Sequence, residues 1–384
     1  MNASKWSLLW PILLTILVPL AAAWFAYPAH LPPNFGVFPP VQVPGTPGFN
    51  LWYFLAVLAV ALVIAALIIF PSWFGFAGSS PQPAPAKKPL PWWFWVGGLF
   101  MVVFWWVMWA RPASLGPIVY YAFSPMWWGF IVFLDGINYR MNDGKSLIAT
   151  KPGLMIFSAI ISIVGWGYFE FYDYFVLANW YYPNGHMSAL SHSTIVILFL
   201  IAYTTVWPAI MEWFNLLNAF PKLVARYQNG WQFTVNGNWL IVIGLIVIAV
   251  MVFFPYPVFW GIWIGPMAVI IGLLIRLNIW SPFTSMQQGN WAPLILIALA
   301  SLFNGFLWEL WNYGSSHPDI GYPTNPNYWI YDIPYVNVIH IFSEMPLLGY
   351  FGYLPFGALV WVFLIWIGEL FNVSTDIYLD GNPN

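Results

Sequence analysis

The chain contains no cysteine, so it can form no disulfide, no thiolate metal site and no cysteine nucleophile. Charge is almost as scarce: ten Lys and Arg with twelve Asp and Glu make up 6% of 384 residues and leave a formal net charge of −2. Ten scattered cations build no basic face, which excludes nucleic acid as a partner. Also missing are HExxH, GxSxG, a Walker loop and a pair of DxxxD boxes, so zinc proteolysis, serine hydrolysis, nucleotide-driven transport and diphosphate chemistry are disfavoured. No sequence feature names a cofactor.

What fills the chain instead is apolar. Hydrophobic residues are 61% of the sequence and the mean hydropathy is +0.75, the composition of a polytopic membrane protein. Twenty-eight Trp, 33 Phe and 21 Tyr exceed what interfacial belts need, so many of them must line helix contacts or a cavity.

Apolar runs of about 20 residues, enough to span a bilayer, fall at Ser7–Tyr27, Leu51–Phe70, Trp92–Ala110, Pro117–Tyr139, Gly153–Val176, Ser193–Leu217, Trp239–Phe254, Val258–Leu277, Trp291–Tyr313 and Val338–Leu370. The expectation is an all-α transmembrane bundle of about ten spans. Residues 1–78 form a two-helix preface, 79–91 a flexible Ser/Pro/Ala linker with Lys87 and Lys88, 92–232 a first four-helix unit and 233–384 a second. Met1–Tyr27, with Lys5, an apolar core and Ala21–Ala23, also fits a secretory signal peptide; a retained anchor helix is the preferred reading. Alternating the loops puts Lys5, Lys87, Lys88, Arg140, Lys145, Lys151, Lys222, Arg226 and Arg276 on one side and Arg111 on the other. The positive-inside rule then puts both termini in the cytoplasm, in the plasma membrane of a prokaryote.

Spacing suggests that the two units are a tandem duplication. Pro125-Met126 and Pro266-Met267, like Pro152 and Pro293, are 141 positions apart, and Glu170 and Glu309 are 139 apart. Asn179-Trp180 answers Tyr328-Trp329, Pro208 answers Pro355, and His192 falls within one position of His340. An even number of helices per unit gives both copies one orientation.

The expensive residues cluster in these matched places. Glu170 and Glu309 lie near the outer ends of apolar helices, with Asp173 and Asn312 one turn beyond them. His192 and His340 would open the helices descending from the outer loops, with Glu344 one turn below His340 on the same face. Ionisable groups at this depth mark sites. Three chemistries suit the set. His340, Glu344, Glu309, His192 and Glu170 offer hard oxygen and imidazole ligands for iron, manganese or zinc. Glu309, Glu344 and Glu170, as acids raised by an apolar setting among aromatic faces, could protonate an alkene and stabilise the cation. Carboxylates and His could also carry protons between two halves of a transporter. Set against these is an interfacial role, in which Asp173, His186, His317, Asp319 and Asp332 cap helices or reach headgroups, and Trp180 and Trp329 are read as belt and packing residues in preference to a substrate platform. Nearer the cytoplasm, Asp135 or Glu212 is expected to pair with Arg276.

An acid after an aromatic (Trp308-Glu309), a loop with an aromatic pair (Trp329 and Tyr331), and an acid beside proline (Glu344-Met345-Pro346) together resemble the membrane-embedded lycopene cyclase and carotenoid hydratase group. The resemblance covers about 50 residues of the second unit, and Leu347-Leu348 stand where that group has a doubled glutamate. It implies an apolar polyene as substrate and Glu309 and Glu344 as acids. The expected function is therefore binding of an apolar lipid or isoprenoid, with His340, His192, Asn312, Asp173, Trp329 and Trp180 around it, and its acid/base transformation. The alternatives are a scaffold or accessory subunit in a larger membrane complex and a proton-coupled transporter.

Overall fold

The computed structural model describes residues 4–316 and 324–380, so His317 and Asp319 lie outside the described residues. The fold is all-helical, with fourteen α-helices among the described residues and one two-stranded ribbon. Seven helical spans are long and apolar enough to cross a membrane, and eight if a pair bent by 68° at residues 113–141 counts as one. They are α1 (Lys5–Ala26), α2 (Leu51–Ile69), α3 (Trp92–Ala110), α6 (Pro152–Asp173) with its 3₁₀ turn, α7 (His192–Tyr203) joined to α8 (Val206–Asn218), α13 (Ala292–Ser316), and α14 (Tyr353–Phe371) with the preceding 3₁₀ turn Leu347–Gly352. The bent pair ends in α4 (Phe123–Met141). Two further apolar helices, α10 (Gly237–Phe253) and α11 (Gly261–Arg276), are shorter, at 17 and 16 residues. Short helices α5 (Leu147–Thr150), α9 (Pro221–Arg226) and α12 (Pro282–Gln287) turn the chain between them.

Helix starts follow local chemistry. The Asn50 side chain accepts from Tyr53 N, Ser191 from Thr194 N and Ser146 from Ala149 N, which satisfies first-turn donors in segments with few other polar groups. Pro152, Pro221 and Pro282 occupy first-turn positions, where a missing N–H costs nothing. The α3–α4 pair packs so closely that a Cβ on Gly129 would stand 2.5 Å from the Met101 nitrogen. Small residues at such crossings replace the solvent-driven association that lipid does not supply.

The break between α7 and α8 is caused by Pro208, which cannot donate to the Thr204 carbonyl. The Ser162 hydroxyl of α6 fills the gap: it donates to the Tyr203 carbonyl and accepts from Trp207 N at 3.2 Å. This break fixes Tyr203, whose side chain returns in the site below.

The expected helix Val338–Leu370 is shorter than its apolar run. Residues 338–346 are irregular, with Ile339 at φ 59° and an isolated bridge between His340 and Pro346, and helix begins only at Leu347. Pro346 explains this, because it disfavours helical backbone at Met345 and supplies no donor. At the opposite end of the bundle, Lys5 bonds the Glu369 and Leu370 carbonyls, and Lys145 and Lys151 pair with Asp380 and Asp376, so cations and the 369–380 segment share one end.

Candidate functional site

Glu170 sits on α6, 3% exposed, and its Oε1 accepts four side-chain donors: Tyr182 Oη at 2.5 Å, Trp166 Nε1 at 2.8 Å, Tyr203 Oη at 2.9 Å and, weakly, Trp180 Nε1 at 3.5 Å. Glu309 sits on α13, fully buried, and its Oε1 accepts Tyr353 Oη at 2.6 Å and Tyr331 Oη at 2.9 Å. Trp329 Nε1 in turn donates to Tyr331 Oη at 2.9 Å. In both cases Oε2 is buried without a hydrogen-bond partner. No Lys or Arg pairs with either acid; the ion pairs among the described residues are Lys88–Asp143, Lys145–Asp380 and Lys151–Asp376.

A two-stranded ribbon ties the two clamps together. Strand β1 (Trp180–Tyr181) runs antiparallel to β2 (Ile330–Tyr331), with Trp180 opposite Tyr331 and Tyr181 opposite Ile330. Asn312, one turn beyond Glu309, grips the Trp329 peptide from both sides: its Nδ2 donates to Trp329 O at 2.8 Å and its Oδ1 accepts from Trp329 N at 3.1 Å. Asp173, one turn beyond Glu170, is fully buried, and neither of its carboxylate oxygens has a hydrogen-bond partner. Gly305 makes room for Tyr353, since a Cβ there would lie 2.3 Å from the ring.

Both clamps border one cavity of about 610 Å³. Trp166, Trp180, Tyr182 and Tyr203 line it from the first clamp and Trp308, Trp329, Tyr331 and Tyr353 from the second, with Phe356 between, 5.9 Å from Trp166 and 6.0 Å from Trp308 by ring centroids. Among the described residues, no Asp, Glu, Lys, Arg or His is part of this wall. The two glutamates are not in the wall, and the tyrosines and tryptophans that donate to them are, so aromatic side chains stand between the carboxyls and the cavity. Burial first, and then the neighbouring carboxylate of Glu170 or Glu309, push the Tyr182 and Tyr331 hydroxyls well above the ordinary phenol range, so both stay donors. The remaining polar wall groups are neutral. Asn179 leaves its Oδ1 unpaired and Asn327 its Nδ2.

The other expected residues lie elsewhere. His192 is the first residue of α7 but is exposed, stacked 6.2 Å from His186. His340 is exposed in the irregular segment, with Nε2 3.3 Å from Asn337 Oδ1. Glu344 is half-buried in the same segment, accepting from Tyr328 Oη at 2.8 Å, and is not part of the cavity wall. The one-turn relation of His340 and Glu344 is lost because no helix forms there. The metal set is thereby dispersed, and the described residues contain no group of three or more His, Asp or Glu placed to hold an ion. Asp135 and Glu212 form no pair with Arg276, which lies over the Trp10 ring at 5.5 Å. Asp135 accepts Trp93 Nε1, Ser146 Oγ and Ile148 N at 2.8–2.9 Å, and Glu212 accepts Asn138 Nδ2 at 2.6 Å. Neutral donors thus replace the expected cation.

Sequence reasoning passes over Tyr182, Tyr203, Tyr353 and Trp166. A usable signal was present: Tyr203 and Tyr353 each precede a proline inside an apolar helix, Pro208 and Pro355, where backbone irregularity gathers. No protein-family model, no curated protein and no solved structure matches this chain.

Proposed function

We propose that this integral membrane protein binds an apolar lipid or isoprenoid in the aromatic cavity and transforms it by proton transfer from tyrosine hydroxyls backed by Glu170 and Glu309. The observation that carries the reading is the pair of uncompensated buried carboxyls, each reached through phenols that border one apolar chamber. With the carboxyl protonated, a phenol that turns its O–H from the carboxyl toward an alkene can protonate it and take the carboxyl's proton in return; indole and phenyl faces steady the carbocation, which then loses a proton from a neighbouring carbon back to the carboxylate, so that the net change is a double-bond shift or a ring closure. Tyr203 and Tyr353 are the proton donors in this scheme, with Tyr182 and Tyr331 steadying the acids. The duplication inferred from spacing accounts for two clamps of like composition, one per unit, with both termini cytoplasmic. The likeness to lycopene cyclases and carotenoid hydratases agrees with the substrate class and with Glu309; Glu344 has no part in this scheme.

The test is extraction of lipid from the purified protein, with absorption spectra and mass spectrometry, followed by lipid profiling of cells carrying Glu170→Gln or Glu309→Gln. A specific apolar lipid should copurify, and the variants should retain it while their product disappears. Absence of any lipid beyond the general membrane composition, with unchanged cellular lipids in both variants, would sink the proposal.

A further inference from the structure

The cavity's remaining side is bordered by α2, the least buried of the long apolar helices, and the cavity is partly open along it. Only Phe54 and Ala61 of its 19 residues are buried, yet Tyr53, Ala56, Val57, Val60, Ala61 and Ile64 border the cavity. Its opposite face, including Leu55 and Leu62, is exposed and wholly apolar, as suits contact with acyl chains. Polar tethers hold α2 only at its ends. Asn50 N donates to Tyr335 O at 3.1 Å and Tyr53 Oη to Pro257 O at 2.9 Å at one end; Tyr227 Oη to Ile68 O at 2.8 Å and Arg226 to Ile69 O hold the other. Between them, one apolar helix stands at the chamber's open side, with its lining residues Val60 and Ile64 exposed.

The outer side is shut. The β1–β2 ribbon, with Ile333, Val336, Met345 and Leu348, covers the chamber on the side of the polar loops. A ligand arriving from the side of the polar loops would have to part a hydrogen-bonded ribbon, whereas one already dissolved in the bilayer meets the open side beside α2. Among the described residues the wall also offers no cation to a phosphate and no anion to an amine, so an ionic headgroup against them would be buried without a partner.

We propose that the cavity loads sideways, past α2, and that its ligand is an uncharged, headgroup-free lipid drawn from the hydrocarbon layer. This rests on the cavity being the ligand site, as proposed above, and adds the route and the charge class. Ligand exchange then depends on bending or swinging of α2 about its end tethers, with the ribbon intact.

The chain's lack of cysteine gives a clean background for the test. Tyr53→Cys and Phe259→Cys, whose native rings stand 6.4 Å apart, allow α2 to be pinned to the body with a short bifunctional thiol reagent and released by reduction. Protein in nanodiscs is exposed to a diazirine-bearing long-chain alcohol or a diazirine-bearing phosphatidylcholine, and labelled residues are mapped by mass spectrometry. The alcohol should label wall residues such as Trp166 and Trp308, while phosphatidylcholine labels only the outer face of α2. Pinning should slow wall labelling about tenfold, and reduction should restore it beyond the wild-type rate because the Tyr53 tether is gone. Equal wall labelling by phosphatidylcholine overturns the uncharged class. Equal rates in pinned and reduced protein overturn the lateral route while leaving the cavity as the ligand site. No wall labelling by either probe removes the functional reading itself.

Discussion

Replacing Tyr353 by Phe deletes one hydroxyl and leaves the ring, so it isolates the hydrogen bond to Glu309. Two tyrosines donate directly to Glu309 Oε1, at 2.6 and 2.9 Å, and Oε2 has no partner. The substitution therefore halves the donors of a fully buried acid, which should cost about 1–3 kcal/mol, the range for leaving a buried acceptor short of a donor. Tyr203→Phe is the internal control. It leaves Glu170 with Tyr182 at 2.5 Å and Trp166 at 2.8 Å, and should cost only about 0.5–1.5 kcal/mol. The assay is the unfolding midpoint in mixed detergent, titrated with a denaturing detergent and followed by Trp fluorescence. A second pair of measurements separates hydrogen bonding from packing: in a Glu309→Leu background the acceptor is absent, and Tyr353→Phe should become nearly neutral. The reasoning is refuted if Tyr353→Phe costs no more than Tyr203→Phe, or if its cost persists unchanged without Glu309.

Gly305→Ala should act through the same tyrosine, because its Cβ would meet the Tyr353 ring at 2.3 Å; a loss of about 1–3 kcal/mol is expected, and it should shrink in a Tyr353→Ala background. His340→Ala should leave bound lipid and stability unchanged within about 0.5 kcal/mol, since this exposed side chain is not part of the cavity wall; loss of the copurifying lipid would contradict its placement. The Tyr182 phenol, raised in the fold above its ordinary value of 10.0, contributes stability that is present below about pH 10 and falls away as pH rises through the raised value. The unfolding midpoint should decline above about pH 10, and Tyr182→Phe should flatten that decline; equal slopes in both proteins would count against the assignment.

Legibility followed the range of the interactions. Helix positions could be read from apolar run lengths because, in lipid, backbone donors and acceptors must be satisfied within a segment. Val338–Leu370 failed at its start because hydropathy does not register how Pro346 restricts the backbone before it. Glu170 and Glu309 were legible because a carboxyl in an aromatic run is rare enough to stand out alone. Their donors were not: Tyr182 lies 12 residues from Glu170 and Tyr331 lies 22 from Glu309, in loops whose return path no periodicity encodes. Asp135 and Arg276 illustrate the converse error, in which opposite charges in one layer were paired by sign while indole, hydroxyl and backbone N–H groups closer in space had already satisfied the acid.

The sequence by itself therefore determined the apolar, membrane-type composition, the helical class, and that Glu170 and Glu309 stand in apolar aromatic segments, since each of these depends on composition over one segment. Only the tertiary structure decided that those acids are not in the cavity wall while their tyrosine donors are, that His340 and Glu344 stay outside it, and that α2 stands at its open side. The reason is physical: a hydrogen-bond clamp and a cavity are properties of surfaces brought together from several segments, and their distances appear only once helices, breaks and ribbon are packed.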